Sequence, residues 1–329
     1  MLGRHRTSDQ LRAPPIVLSS YPPILLSPYP LSPITSESWQ YVAIRWLTYL
    51  ALSTAIGCLT AYFYLRPKQA LGTDLANERK LARWADASAL ALIVLAGARL
   101  WTQWQTLGGS EAGPFAELMR PMVFETAWGV GLIGQTVLAI VASFAFGAAP
   151  RRSAWITATV ATVLLSVTPA LSGHAVGEQR PVLGVTLDTI HVLAGGVWLG
   201  TLTVIVALSI PVLGDAATRK ALQEILVRFS KLALTAAAMV SLTGLYAAWV
   251  HVGSWGALWS TPYGDVLVLK LCALVVAVLL GAVNWRVAVP RLTVGRVPGF
   301  AASGSAEVFA ALLIYLLTAV LVGRPLPME

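Results

Sequence analysis

SGHAVGEQRPVLGVTLDTIHVLAGGVWLGTL, residues 172–202, sets two histidines and an aspartate at the edge of and inside an apolar run. His174 closes one apolar segment, and Asp188, His191 and Trp198 lie inside the next. Asp188, His191, Gly195 and Trp198 recur at intervals of three, four and three, so on a helix they share one face. An acid and an imidazole within an apolar helix are costly to hold in lipid, which makes a functional site the first expectation there.

The surrounding composition supplies the lipid. Of 329 residues, 57% are hydrophobic and only 12% charged, about half the charged fraction of a soluble domain, and the mean hydropathy is +0.71. The expected fold class is all-α: a polytopic membrane bundle of eight transmembrane helices. The apolar runs are 40–64, 82–107, 121–146, 153–174, 183–210, 229–251, 264–289 and 304–323, each near the roughly 20 residues that cross a bilayer. The net charge of +8 does not indicate nucleic acid, because the basic residues lie in short links between runs rather than in a stripe. Residues 1–38 carry repeated prolines and cannot propagate a helix. They read as a disordered tail or an over-extended translation start. The remaining chain divides into 39–150, holding the first three spans, and 151–329, holding the last five.

Arg66, Lys68, Arg79, Lys80, Arg83, Arg151, Arg152, Arg219, Lys220, Arg228, Lys231, Arg286, Arg291 and Arg296 fall in the odd-numbered links. The even-numbered links hold only Arg120 and Arg180. Positive charge stays inside, so the odd links are expected in the cytoplasm and both termini outside. Trp249, Trp255 and Trp259 sit where an aromatic belt is expected at the outer face. Thr126-Ala-Trp128-Gly129 at the third run is echoed by Thr261-Pro-Tyr263-Gly264 at the seventh. This suggests a 4+4 parallel duplication, chance similarity being the other reading.

In this topology His174, His191 and His251 all lie toward the outer leaflet, with His191 about 12 Å below the outer end of its helix at 1.5 Å per residue. Asp188 could take the Nδ1–H of His191 and leave Nε2 free for a metal, or the two could be a structural pair holding one helix to another. Imidazoles suit copper, zinc and iron, and thioethers add preference for Cu(I). Met119 and Met122 could supply sulfur at an entry site in the outer link, although two methionines near a membrane boundary are more often plain packing. Lys270 and Glu125 are placed for an ion pair, and Glu307 sits where an acid complements a helix start. Gly196 with Gly200, and Gly129 with Ala127, read as close-packing surfaces. Cys58 and Cys272 lie in separate runs without metal-binding spacing. No Walker A, GxSxG, HExxH or CxxCH pattern occurs, so no enzyme is expected.

His174-Ala175, Asp188-x-x-His191, Trp198-x-Gly200, Arg228-Phe229-Ser230, Thr243-Gly244, Tyr263-Gly264-x-x-Leu267-x-x-Lys270 and the stretch Asn284 to Pro290 together resemble the copper-resistance protein D (CopD) family of bacterial inner-membrane proteins. The match is firm over 150–323 and looser before it. The resemblance implies a copper ion as the species handled, uptake across the plasma membrane, and a periplasmic copper-binding CopC-like protein as partner. It carries the ligand role onto His174 and His191, with Asp188 beside them; His251, toward the same leaflet, is a further candidate donor on position alone. The chain departs from the pattern in having few methionines and no fused CopC-like domain. A b-type haem protein moving electrons across the membrane is the alternative, with two imidazoles as axial ligands. A membrane copper sensor or assembly factor is a third.

Overall fold

The computed structural model describes residues 38–65, 78–177, 180–210, 216–292 and 297–327. Nearly all of the proline-rich segment 1–38 therefore lies outside the described residues. Eight helices are long and apolar enough to cross a membrane: α1 (Trp39–Leu65), α2 (Glu78–Thr106), α3 (Ala127–Gly147), α4 (Arg152–Leu171), α5 (Pro181–Ser209), α6 (Arg219–Val252), α7 (Pro262–Val287) and α8 (Ala301–Leu321). No strand occurs among the described residues. Lipid cannot satisfy backbone N–H and C=O groups, so apolar segments of this length close their own hydrogen bonds as helices. Their hydroxyls follow the same rule: Thr48, Thr54, Thr60 and Ser88 each donate to the carbonyl four residues earlier.

The eight runs are found where expected, with two informative shifts. The third run breaks at Thr126. Residues before it form a separate short helix, Phe115–Glu125, and α3 starts at Ala127. The sixth run begins earlier than its apolar stretch, because Leu222, Ile225, Leu226 and Phe229 recur at helical spacing and are all buried. That amphipathic face carries α6 through Arg219, Lys220 and Arg228, which ride on the helix instead of occupying a loop.

Helix α1 is the hub, packing against α2, α5 and α8, while α2–α3, α3–α4, α5–α6 and α7–α8 pack as neighbours. The α1–α5 crossing is a backbone contact. A Cβ on Gly57 would meet the carbonyl of Gly200, one on Gly200 would meet the carbonyl of Ser53, and one on Gly196 would meet Ile56. Gly196 and Gly200 are thus the close-packing surface their spacing suggests. Gly129 is not an interhelical surface: a Cβ there would meet the carbonyl of Val123 in the preceding short helix. Gly264 has the same relation to Leu258.

Those two glycines belong to one repeated cap. Thr126 and Thr261 both have extended backbone and each accepts a hydrogen bond at 3.1 Å from the glycine N–H three residues on. Each hydroxyl in turn donates at 2.6 Å to a carbonyl of the preceding short helix, Met122 or Ala257. The sequence echo is therefore a local device that ends one short helix and starts a spanning one.

Candidate functional site

The last four helices and α1 enclose a cavity of about 450 Å³ in the half of the bundle where α4 joins α5, here the histidine end. The cavity is mostly apolar; Asp188, His191, Thr243, His251, Lys270 and Tyr315 supply much of its polarity. Helix α5 puts Asp188, His191 and Gly195 on the cavity wall, as their spacing predicts. Trp198 does not follow them, and is buried in the core instead. The cause is a π-helical segment, Gly196–Gly200, in which Thr201 N–H reaches back to Gly196. The wider turn rotates every later residue off the expected face.

His191 is held by α6. Its Nδ1 lies 2.9 Å from the Thr243 hydroxyl, and that hydroxyl donates its own proton to the Met239 carbonyl at 2.7 Å. With that proton committed to Met239, the Thr243 oxygen suits a His191 protonated on Nδ1, the tautomer that leaves the Nε2 lone pair available; the Val240 carbonyl also hydrogen-bonds the ring. Gly244, next in the chain, makes room for the ring: a Cβ there would stand 3.2 Å from His191 Cε1. The tautomer-fixing partner is thus Thr243 on another helix, not Asp188 one turn away.

Asp188 instead shares the cavity with Lys270, within Coulombic reach of it. Glu125 is exposed at the end of its short helix, so the carboxylate nearest Lys270 comes from α5 and not from that link. Met119 is fully buried, which makes it packing. At the mouth, His251 shares a hydrogen bond of 3.2 Å between its Nδ1 and the Tyr263 hydroxyl. At the floor, the Tyr315 hydroxyl donates to Gly195 O at 3.2 Å and accepts from Ser53 at 2.6 Å. This ties α8, α1 and α5 together beside the π segment. Thr243 and Tyr315 were not singled out as site residues. A Thr-Gly pair inside an apolar helix was a usable signal for the first, and nothing local marks the second.

His191 packs on Gly244, and His251 stands seven residues further along α6, roughly 10 Å away at 1.5 Å per residue. The two imidazoles therefore stand at different levels of one cavity. Among the described residues no group of three or more His, Cys, Asp and Glu side chains could hold a metal ion. His174 heads the 3-10 turn His174–Gly177 directly after α4; its side chain lies outside the described set, while Gly173 and Ala175 on either side line the cavity.

Eight apolar helices around an intramembrane cavity bearing an imidazole, a carboxylate and an ammonium define a multi-pass helical membrane protein with a buried polar site. Sequence comparison narrows the class. The family described as Copper resistance protein D matches residues 223–321, and the one described as Copper resistance protein D-like, N-terminal domain, matches residues 35–185. The chain belongs to the copper-resistance protein D family. It is 25% identical over 293 residues to the Copper transport protein CutJ of Bacillus subtilis (strain 168), an alignment covering 87% of this chain and 53% of that protein. The chain thus spans about half the length of this curated relative. No solved structure matches it.

Proposed function

We propose that this chain carries copper across the bacterial plasma membrane, taking it up at the histidine end. The observation that carries the reading is the orientation of His191. Thr243 favours the proton on Nδ1, which leaves Nε2 unprotonated on the wall of a membrane-embedded cavity, the state in which imidazole binds a metal. His251 would receive the ion near the mouth and His191 would take it deeper, with His174 at the rim and Asp188 offsetting its charge. Lys270 raises the cost of a bare cation in the cavity, and Asp188 beside it lowers that cost again.

The distribution of Arg and Lys between links supports a reading with the histidine end outside the cytoplasm and both termini on that same side. A periplasmic CopC-like protein is the donor we expect, since the links at that end are short and offer no large copper-binding domain of their own. We read the chain as a carrier, with copper as cargo and no catalysed reaction.

The test is the metal content and optical spectrum of purified wild type beside His191→Ala. Copper bound by the wild type and lost in the variant, without a Soret band, is the expected result. A Soret band lost in the variant would make this a haem protein.

A further inference from the structure

Glu307 lies far from the histidines and is not part of the site described above. The sequence suggested an acid at a helix start, but the helix runs Val297–Leu321, which puts Glu307 more than two turns inside it. The residue is 8% exposed, and Asn284 on α7 is 6% exposed. The Asn284 amide stands next to the Glu307 carboxyl. Neither Nδ2 nor Oδ1 of Asn284 completes a hydrogen bond. Gly281, one turn earlier, leaves the space: a Cβ there would meet Glu307 Oε1 at 3.2 Å. Asn284 also opens the π-helical segment Asn284–Ala288, the kind of irregular turn that recurs at functional sites.

We propose that Glu307 and Asn284 form a proton-binding site in the half of the membrane opposite the histidines. A carboxyl buried in the bundle is expensive as an unpaired ion, and among the described residues the Asn284 amide, not a charged side chain, is what stands at it. Arg286 on α7 is exposed, its guanidinium 5.8 Å from the Trp285 ring. Arg45 on α1 lies over Tyr41 at 4.3 Å, and Lys270 is in the histidine-end cavity. Of the remaining titratable groups on those elements, Asp265 and Cys272 are exposed, Tyr41 is bonded to Gln103 and Tyr263 to His251. Tyr49, Asp188 and His191 line the histidine-end cavity, Cys58 is buried in the core and Tyr62 is stacked on Trp155. Tyr64 is exposed, and Tyr315 is bonded to Gly195 and Ser53. The Arg291 side chain lies outside the described set.

Metal cations such as sodium, calcium or magnesium require more oxygen ligands than one carboxyl and one amide supply. A proton needs only one. The asparagine suits both forms of the acid: Oδ1 accepts from the protonated carboxyl, and after an amide flip Nδ2 donates to the carboxylate. Glu307 is eight residues, roughly 12 Å, below Tyr315 on the same helix. The two stations thus lie in series along α7 and α8. If the copper reading above holds, a cationic cargo passing between these helices displaces the proton, because one carboxyl does not hold both.

The site is tested first without copper. Infrared spectra of the full chain in nanodiscs, recorded across pH, are compared for wild type, Glu307→Gln and Asn284→Ala. The expected result is a carboxylic-acid C=O band that is absent in Glu307→Gln and moved to higher wavenumber in Asn284→Ala, where its acceptor is gone. A band unchanged in both variants overturns the proposal; should Glu307→Gln not fold, an unmoved band in Asn284→Ala does so alone. Proteoliposomes with a lumenal pH dye then test coupling. Wild type is expected to change lumenal pH when copper is added, and Glu307→Gln to bind copper at wild-type stoichiometry with that pH change lost. A Glu307→Gln protein giving the wild-type pH change overturns the site. A wild type that keeps the band but binds no copper instead sinks the carrier reading.

Discussion

Two of the polar pairs in the membrane part of this bundle are built differently. In the first half, Arg99 on α2 donates from Nη1 to Gln135 Oε1 on α3 at 2.9 Å, and Gln135 Nε2 donates back to the Leu92 carbonyl at 2.9 Å. Gln135 is thereby spent on both sides. Asp86 accepts from Ser143 and Glu78 from the Trp155 indole on the same side of the molecule. In the second half, His191 spends one nitrogen on Thr243 and keeps the other on a cavity wall. Buried polarity alone does not mark a site; a lone pair left over beside open space does.

The largest expected effect comes from breaking the closed pair. Gln135→Leu leaves the Arg99 guanidinium buried without that acceptor, a loss of about 1.5–3 kcal/mol for a hydrogen bond to a charged group. A clear fall in the thermal midpoint in detergent is the expected outcome, with copper per folded molecule unchanged. A variant of normal stability that has lost copper would reverse the roles assigned to the two pairs.

His191→Ala should show the opposite pattern. Its hydrogen bond to Thr243 is a neutral contact worth about 1 kcal/mol, so the thermal midpoint should move little. Copper affinity should fall more than tenfold, which is about 1.4 kcal/mol or more. Equilibrium dialysis and thermal unfolding on the same preparation measure both quantities.

Thr243→Val removes the acceptor and keeps the shape. The imidazole is then free to take the other tautomer, and about 10–100-fold of metal affinity should be lost, the usual consequence of deleting such a partner. Thr243→Ser should restore most of it. If valine binds as tightly as threonine, the tautomer argument fails.

How much of this was legible beforehand follows from where the forces act. The eight spans were visible because a bilayer imposes one length and one polarity on each. The start of α6 was misjudged because Arg219, Lys220 and Arg228 look like loop charges. The burial of Leu222 and Ile225 between them becomes plain only when the helical register is followed outward. The face shared by Asp188, His191 and Gly195 was readable from spacing. Its end at Trp198 was not, since the π turn lies where α1 brings Ile56 and Ser53 against Gly196 and Gly200, a contact between distant segments that no local pattern shows. The partner of His191 was likewise hidden, because Thr243 is 52 residues away and only packing brings it there.

The finest test bears on that packing. Gly244 has no positive φ to require glycine; its role is the space given to the imidazole, whose Cε1 would sit 3.2 Å from an added Cβ. That is a few tenths of an ångström too near, so Gly244→Ala should tilt the ring without unseating α6. The helix itself gains from alanine, by up to about 1 kcal/mol, which offsets the crowding in overall stability. Copper affinity has no such compensation, and a tilt that lengthens the Thr243 contact should weaken binding severalfold. Unchanged affinity in Gly244→Ala would mean that His191 tolerates rotation, and that the site depends on the cavity's volume more than on the angle at which the imidazole is held.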